Sequence, residues 1–473
     1  MHTNVHVLVV AIPAFGHIVP MLELAKKITR FHRVTFAVSA SKVIQMKDRD
    51  MLNENDALAI HSIPDGLDSD LDSLMAEHDH AGVEAFFDIV FTSFVRLFNE
   101  MPISDNVDGV TGSLEGSDTI SLHNGSVDVV IAVNFAGSQA AICHDRGVPF
   151  YLFNPENAVL LQNILSIRDD HPTVPAEEAD PFWRLPEPDQ PPRPISQMIK
   201  NMWLPLRKKL HLASGIIINS CRELEMDALK EVMKMPEMSE MSVFCVGPLF
   251  PEEVADVVVK KNATRAAVQT EVLKWLDEKA NGTVIYVSFG SIAAPTPDQV
   301  KTIGLALSAL NRPIIWSLRK NLAFLPAEIT TDSNCKFFIL PWAPQKLILS
   351  HASVGVFLSH CGWNSTLEGL ASGKPIVAWP MFVDQLLNAQ LILKLGVGVM
   401  ISRTDVKPEK GVSVEEIKSA IQAVSGMGGE GLQKPDYAET ARLWGGKVGT
   451  AWSQSRSSSG EFLQLVKFQP LKL

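Results

Sequence analysis

The sequence predicts an α/β protein in which two doubly wound parallel-sheet units follow one another. Short apolar runs alternate with longer stretches in which apolar residues recur every three or four positions, which is the pattern of βαβ units. The runs are apolar at consecutive positions, as in strands that helices cover on both faces. The alternation is interrupted near residue 250 and then resumes, so the chain divides into two similar halves.

The first half, residues 1–249, is expected to form one Rossmann-like domain. The apolar run 5–12 predicts a buried first strand, because no Lys or Arg precedes Lys26 as a signal peptide would require. The stretches 18–30 and 86–98 have helical spacing. Further strands are expected at 34–38, 58–63, 127–133, 149–153 and 215–218.

The second half, residues 250–454, repeats the pattern after a charged stretch at 252–265. A turn at 457–460 would let a last helix, at about 455–473, pack back on the first domain. Strands are expected at 283–289, 313–318, 336–340, 354–358 and 375–379. Because open α/β sheets bind ligands at the carboxyl ends of their strands, we expect a cleft between the two domains to bind the ligands.

Composition excludes several classes of protein. The chain has 42 Lys and Arg against 53 Asp and Glu, a net charge of −11 without a basic stripe, which argues against nucleic acid as a partner. It lacks the run of about 18 apolar residues that a membrane span needs. The five scattered cysteines form no CxxC pair, so neither a disulfide framework nor a metal site is expected. We expect a cytoplasmic monomer that uses no metal.

Residues 342–385 combine apolar strands with an unusual density of polar residues just after them. Following one strand, His360 leads into a helix whose first turn contains Asn364 and Ser365. A helix N-terminus offers unpaired N–H groups and a positive dipole, so it can bind an anion such as a diphosphate. His360 alone is more simply a buried, hydrogen-bonded histidine, but the whole cluster favours a binding site. Glu368, one turn on, could reach sugar hydroxyls.

A second phosphate loop is predicted where another strand ends, at Ser288-Phe289-Gly290-Ser291. Gly290 permits close approach of the backbone, and Ser291 adds a hydroxyl. Such short turns are common in α/β proteins, so this motif gains weight only beside the first.

The stretch 342–385 resembles the 44-residue signature box of the soluble UDP-dependent glycosyltransferases of the plant secondary-product type. It contains WAPQ at 342–345, HCGWNS at 360–365 and the terminal DQ at 384–385, and residues 13–20 also match the family. The resemblance implies the GT-B fold, in which two facing Rossmann-like domains bind the acceptor mainly in the first and the UDP-sugar mainly in the second. It implies no cofactor, with UDP-glucose or another UDP-hexose as co-substrate.

The resemblance also implies a role for each matching position. The terminal glutamine, in place of a histidine, resembles family members that use UDP-glucose. The implied contacts are uracil with Trp342 and the Ala343 backbone, ribose with Gln345 and Glu368, diphosphate with His360, Asn364, Ser365 and Ser291, hexose with Trp363, Asp384 and Gln385, and Gly362 as a further member of the site.

His17 is the expected general base, between the first strand and the first helix. An imidazole with an ordinary pKa near 6.5 can take the proton of an acceptor hydroxyl as that oxygen attacks the anomeric carbon, inverting the donor's configuration. In the family an aspartate usually orients this histidine, but the alignment puts Val133 at that position, and Asp128 lies at the other end of the strand. Asn134 could accept the imidazole N–H, giving a weaker His17–Asn134 pair, or the acceptors could be acidic, as phenols are.

The leading hypothesis is therefore an inverting transferase that moves a hexose, glucose in the first instance, to a hydroxyl of a small apolar acceptor such as a phenol or flavonoid. Because the usual aspartate is missing, two alternatives stay open: a UDP-sugar-binding sensor or scavenger with weak or no transferase activity, or a C-glycosyltransferase. Apolar residues of the first domain could line the acceptor pocket, although core packing explains such residues more often. They are Met75, Phe86, Phe87, Phe91, Met198 and Met202.

Overall fold

The chain forms two compact units in the computed structural model. Unit 1 contains Met1–Glu253 and Ala451–Leu473, and unit 2 contains Val254–Thr450. The structure describes residues 4–52, 57–64, 80–103, 125–175, 194–239, 241–251, 263–291, 295–331, 336–381, 384–401, 411–425, 435–453 and 456–468. Most of the charged stretch between the two halves lies outside these residues.

Unit 1 contains a seven-stranded parallel sheet in the order β3-β2-β1-β4-β5-β8-β9. All residues of β1, β4, β5 and β8 are buried, as their continuous apolar sequences predict for strands covered on both faces. The strands are β1 (His6–Val10), β2 (Arg33–Ser39), β3 (Leu58–Ile63), β4 (Val129–Val133), β5 (Phe150–Asn154), β8 (Gly215–Ile218) and β9 (Ser242–Cys245), with a separate parallel pair β6 (Thr173–Val174) and β7 (Ile195–Ser196). The strand order reverses between β1 and β4, so loops after these strands diverge and leave a crevice.

Helices connect the strands of unit 1. α1 follows β1 directly and buries the apolar face that contains Ile18, Met21, Leu22 and Ala25. The helices of this unit are α1 (Phe15–Ile28), α2 (Ala40–Asp48), α3 (His80–Glu100), α4 (Ala140–Asp145), α5 (Ala158–Ser166), α6 (Gln197–Lys209) and α7 (Met226–Met233). A 3-10 helix over Asn134–Gln139 separates β4 from α4.

Unit 2 contains a six-stranded parallel sheet in the order β12-β11-β10-β13-β14-β15, with the reversal between β10 and β13. Its strands are β10 (Val284–Ser288), β11 (Ile314–Ser317), β12 (Phe337–Leu340), β13 (Val354–Ser359), β14 (Ile376–Ala378) and β15 (Gly398–Met400). Its helices are α8 (Ala263–Asp277), α9 (Pro297–Ala309), α10 (Ala327–Thr330), α11 (Gln345–Ser350), α12 (Trp363–Ala371), α13 (Gln385–Lys394), α14 (Val414–Val424) and α15 (Tyr437–Val448).

The last helix, α16 (Ser457–Leu465), belongs to unit 1. Its Glu461 pairs with Arg222 at 2.8 Å, and the Ser458 hydroxyl donates to the backbone oxygen of Gly247. The predicted turn at 457–460 is wrong, because these residues form the first turn of the helix. Among the described residues, none of the helices is long and apolar enough to cross a bilayer.

Candidate functional site

The reversal point of unit 2 holds the two loops that the sequence selected. Gly290, after β10, has φ +75°, and a Cβ atom there would lie 2.3 Å from Nε2 of His360, which follows β13. A Cβ at Gly362 would lie 2.7 Å from the same nitrogen. A side chain at Gly290 or at Gly362 would overlap the imidazole, so the ring fits here because both positions are glycine. This packing fixes the ring at the carboxyl ends of β10 and β13.

His360 is buried and uncharged at neutral pH, because burial lowers its pKa to about 4. Its backbone N–H donates to the oxygen of Ser288 at 3.4 Å. Its Nδ1 is buried and has no hydrogen-bond partner among the described residues. A buried, unpaired ring nitrogen can bind a group that enters the loop.

The N-terminus of α12 lies beside His360. Gly362 is the N-cap, no side chain caps the helix, and its first turn holds no acidic residue. Trp363 and Ser365 are buried there and Asn364 is half-buried. The backbone N–H groups of this turn and the helix dipole therefore favour an anion.

Three predicted site residues are joined by hydrogen bonds. The side-chain amide of Gln345 donates to Ser365 Oγ at 2.9 Å and to Glu368 Oε2 at 2.6 Å, and its oxygen accepts from the hydroxyl of Tyr286 at 3.1 Å. Burial raises the pKa of Glu368 to about 7. This network aligns an amide, a hydroxyl and a carboxyl group, which together can bind a diol such as that of ribose.

Trp342 and Ala343 follow β12. The Trp342 side chain is 38% exposed, unusually high for tryptophan, and the guanidinium of Arg265 in α8 lies 4.4 Å from its ring centroid. Ala343 is buried. An exposed indole beside a fixed backbone segment can stack on one face of a flat base.

Asp384 and Gln385 follow β14 and are both buried. Asn388 donates to Asp384 Oδ2 at 2.7 Å and to the backbone oxygen of Cys361 at 2.8 Å, which connects the start of α13 to the loop after β13. The oxygen of the Gln385 side chain accepts from the backbone N–H of Met381. Burial raises the pKa of Asp384 to about 6.

Arg319 adds a cation that the sequence analysis did not include. It follows β11, donates from Nη2 to the backbone oxygen of Gly290 at 2.8 Å, and its charge contributes to lowering the pKa of His360. Ser291 is exposed in the same loop. Arg319 thus lies at the loop predicted to bind phosphate. Among the described residues, His, Cys, Asp and Glu form no group that could hold a metal ion.

In unit 1, His17 lies in the first turn of α1, at the reversal point between β1 and β4. Its Nε2 is 3.5 Å from Oε1 of Glu156, its ring meets the edge of Phe135 at 5.5 Å, and its Nδ1 is buried without a hydrogen-bond partner in the described structure. Burial lowers the pKa of His17 to about 3, so the ring is neutral at neutral pH.

The structure does not contain the predicted hydrogen bond between His17 and Asn134. The Asn134 amide donates to Asn154 Oδ1 at 3.1 Å and to Glu156 Oε2 at 2.8 Å, and its oxygen accepts from the N–H of Phe135. Asn134 turns toward β5 because that neighbouring strand ends in these polar partners. Val133 is a buried apolar residue.

An aromatic cluster continues from His17. Phe135 stacks on Phe87 at 5.0 Å and contacts Trp203 at 4.5 Å, and Phe87 stacks on Phe91 at 5.7 Å. Phe87, Phe91 and Phe135 are each half-buried, which keeps part of their surface accessible. Phe86 is buried, Met198 and Met202 are half-buried, and Met75 lies outside the described residues. A cavity at the same edge of the sheet is lined by Ala11, Pro13, Ser39, Ile63, Ile89, Val90, Ser93 and Phe94.

Sequence reasoning missed Glu156, Arg319, Tyr286, Arg265 and Asn388 as members of these sites. For Glu156 a signal existed: the polar tetrapeptide Asn154-Pro155-Glu156-Asn157 comes directly after an apolar strand. For Arg319 the signal is weaker, because a cation after a strand is common. Arg265 lies on a helix distant in sequence, so only the fold brings it to Trp342.

Two parallel α/β sheets, one with an uncapped helix N-terminus at its reversal point, are the arrangement found in GT-B proteins. The family model for "UDP-glucoronosyl and UDP-glucosyl transferase" matches residues 197–425. A UDP-glycosyltransferase of Stevia rebaudiana, 71E1, is 30% identical over 410 residues, which cover 79% of this chain and 82% of that protein. UDP-glycosyltransferase 72B1 of Arabidopsis thaliana is 29% identical over 428 residues, covering 82% of this chain and 81% of that protein.

Solved structures agree on the fold. A UDP-glucosyltransferase from Polygonum tinctorium superposes with a TM-score of 0.73 at 23% identity, covering 99% of both chains. UGT71G1 of Medicago truncatula, solved with UDP-glucose, gives 0.72 at 21% identity and 98% coverage of both. The predicted GT-B fold is confirmed. The chain belongs to the UDP-glycosyltransferase family, and it is an enzyme that uses a UDP-sugar as co-substrate.

Proposed function

We propose that the protein transfers a hexose, glucose in the first instance, from its UDP-sugar to a hydroxyl of a small apolar acceptor such as a phenol or flavonoid. The observation that carries this proposal is His17: a neutral imidazole with one buried, unpaired nitrogen lies at the reversal point of unit 1, beside accessible aromatic rings. An anthocyanidin 3-O-glucosyltransferase of Solanum melongena, 35% identical over 229 residues that cover 48% of this chain and 46% of that protein, supports this class of acceptor.

In the proposed reaction, the acceptor hydroxyl gives its proton to His17 while its oxygen attacks the anomeric carbon. The bond from that carbon to the diphosphate oxygen breaks, and UDP leaves with the electron pair. One displacement inverts an α-linked donor to a β-glycoside. The half-buried rings of Phe87, Phe91 and Phe135 favour a flat, apolar acceptor by stacking.

In unit 2, we propose that uracil stacks on Trp342 and that Gln345 and Glu368 hold the ribose. His360, Ser291, Arg319 and the first turn of α12, with Asn364 and Ser365, would bind the diphosphate. The hexose would contact Trp363, Asp384 and Gln385. The hydrogen-bonded triad of Gln345, Ser365 and Glu368 supports the ribose and phosphate assignments, because it joins neighbouring parts of one ligand.

The binding-protein and C-glycosyltransferase alternatives rested on a histidine without a carboxylate. Glu156 lies 3.5 Å from that histidine, so the reason for either alternative is weakened. O-transfer by an active enzyme is therefore the function that the geometry supports best.

The proposal is tested by incubating the protein with UDP-glucose and a panel of phenols, beside the His17→Ala variant. Loss of the base should reduce the rate by a factor of roughly a hundred or more. His144→Ala is the control, because His144 is an exposed histidine of the same unit. A wild-type rate no faster than that of His17→Ala, or an acid-stable C-glycoside as the product, would contradict the proposal.

The pH profile offers a second check. Only neutral His17 accepts a proton, and burial lowers its pKa to about 3, so the active form persists as the pH falls below 6.5. We expect the acid limb of kcat/KM to lie well below pH 6.5, measured with an acceptor whose hydroxyl does not titrate in that range.

A further inference from the structure

Glu156 lies at the junction between β5 and α5, one strand beyond the strand from which Asn134 extends. No feature of the signature box includes it, and it is more than a hundred residues from His17 in sequence. Its carboxylate nevertheless approaches the imidazole: Oε1 is 3.5 Å from Nε2 of His17. The two side chains are 11% and 15% exposed, so solvent screens their interaction less than at the surface.

Two asparagines hold this carboxylate in place. Asn134 donates to Glu156 Oε2 at 2.8 Å, which leaves Oε1 as the oxygen directed at His17. Asn154, the last residue of β5, donates to the backbone oxygen of Glu156 at 2.8 Å and to that of Asn157 at 3.2 Å. Asn134 and Asn154 also bond to each other at 3.1 Å. Side chain and backbone of Glu156 are thus both fixed by the ends of adjacent strands.

We propose that Glu156 is the positioning residue of the base: its carboxylate keeps the ring proton of neutral His17 on Nε2 and stabilises the imidazolium that forms during transfer. This inference rests on the proposed role of His17. With the proton on Nε2, Nδ1 is the free nitrogen, and Nδ1 is the buried atom without a partner among the described residues. The acceptor proton moves to Nδ1, and the resulting positive charge lies beside the carboxylate.

The remaining surroundings of His17 do not offer an equivalent group in the described residues. Phe135 contributes the edge of an apolar ring. Lys42 of α2 and Arg49, which follows that helix, lie over the ring of Phe15 at 5.2 and 3.5 Å. On α1 itself, Lys26 pairs with Glu23. Glu156 is therefore the anion positioned to compensate a charge on His17.

The first experiment compares wild type with Glu156→Gln, which keeps the shape and the hydrogen bond to Asn134 as far as an amide can but removes the charge. We expect kcat to fall by roughly tenfold to a hundredfold while KM for acceptor and UDP-glucose stays near the wild-type value. Glu156→Asp keeps the charge on a shorter side chain and should recover part of kcat. Wild-type kcat in Glu156→Gln would overturn the proposal.

The second experiment asks whether Glu156 acts through His17. In a His17→Ala background, Glu156→Gln should cost nothing further, because the base it positions is gone. Equal losses in both backgrounds would mean a merely structural role. Glu225→Gln is the matched control: Glu225 is another buried carboxyl in unit 1, accepts from the N–H of Ala158 at 2.6 Å at the same helix start, and does not contact His17 among the contacts described.

The closing experiment needs no activity. Nitrogen NMR shifts of the His17 ring at neutral pH, assigned by their loss in His17→Ala, report which nitrogen carries the proton. Wild type should hold the proton on Nε2, and Glu156→Gln should move it at least in part to Nδ1, because the Gln oxygen that accepts from Asn134 leaves the NH2 group to donate to Nε2. Unchanged populations would overturn the positioning role, even in an active enzyme. If Glu156→Gln changes the His17 tautomer but the wild-type protein transfers no glucose, the positioning role stands and only the proposed function is refuted.

Discussion

Units 1 and 2 have the same kind of parallel sheet, and each has candidate functional residues at its reversal point, β1/β4 in one and β10/β13 in the other. In unit 2 most of these residues come from one continuous stretch, 342–385. In unit 1 the group of His17, Asn134 and Glu156 comes from three separate segments of the chain. A site made from one continuous stretch can be predicted from the sequence. The composition of a dispersed site depends on which strands become neighbours in the fold.

The chemistry of the two sites differs in the same way. Unit 2 offers hydrogen-bond donors, an indole face and the cation Arg319, which suit the binding of a charged ligand. Unit 1 offers a neutral histidine beside a carboxylate, which suits proton transfer. The following variants can break or sharpen this contrast between a binding unit and a proton-accepting unit.

Gly290→Ala should have the largest effect on donor binding. The new Cβ would lie 2.3 Å from His360 Nε2, so the imidazole must move out of the loop. Loss of one hydrogen bond to a charged phosphate and displacement of the loop should weaken UDP binding by about a hundredfold, measured by calorimetry. Gly282→Ala is the control, because it has a similar φ of +71° with open space around its Cβ. Both variants lose stability through backbone strain, of about 1–2 kcal/mol. Equal UDP affinity in the two would contradict the assignment of this loop.

Trp342→Ala should weaken UDP binding by roughly tenfold, because stacking of a base on an aromatic ring contributes about 1–3 kcal/mol. Trp444→Ala is the matched control in the same unit, since a lysine, Lys447, lies 4.3 Å over the Trp444 ring as Arg265 does over Trp342. If both substitutions changed the affinity alike, Trp342 would not be the base platform.

Arg319→Gln should reduce the affinity for UDP by about threefold and leave the affinity for uridine unchanged, because an exposed charge contributes up to about 1 kcal/mol. Lys320→Gln, the adjacent exposed cation, controls for general electrostatics. A loss of uridine affinity as large as that of UDP would show that Arg319 supports the loop instead of the diphosphate.

Gln385→His should have the smallest effect, a shift in the ratio of UDP-galactose to UDP-glucose use. Gln385 is buried at the start of α13, where its side-chain oxygen accepts from the N–H of Met381, so an imidazole in place of the carboxamide would change the proposed contacts with the hexose hydroxyls. The measurement is a competition between the two donors. An unchanged ratio would mean that Gln385 does not select the sugar.

The fold class and family were predictable because apolar runs and the signature box are local patterns. The predicted turn at 457–460 was wrong, since three serines and a glycine favour turns locally, yet α16 is held by Arg222 and the Gly247 carbonyl. The prediction of a hydrogen bond between His17 and Asn134 was wrong for a similar reason. Proximity in the sequence pattern selected Asn134, while the end of the neighbouring strand offered Asn134 better partners in Asn154 and Glu156.

The most direct test of the account measures two quantities on two variants: UDP affinity by calorimetry and glucose transfer to a phenol. The division between the units predicts that His17→Ala binds UDP as wild type does but loses transfer, and that Trp342→Ala loses UDP affinity but recovers transfer at saturating donor. A His17→Ala variant that loses UDP affinity as Trp342→Ala does, or retains transfer, would contradict the account.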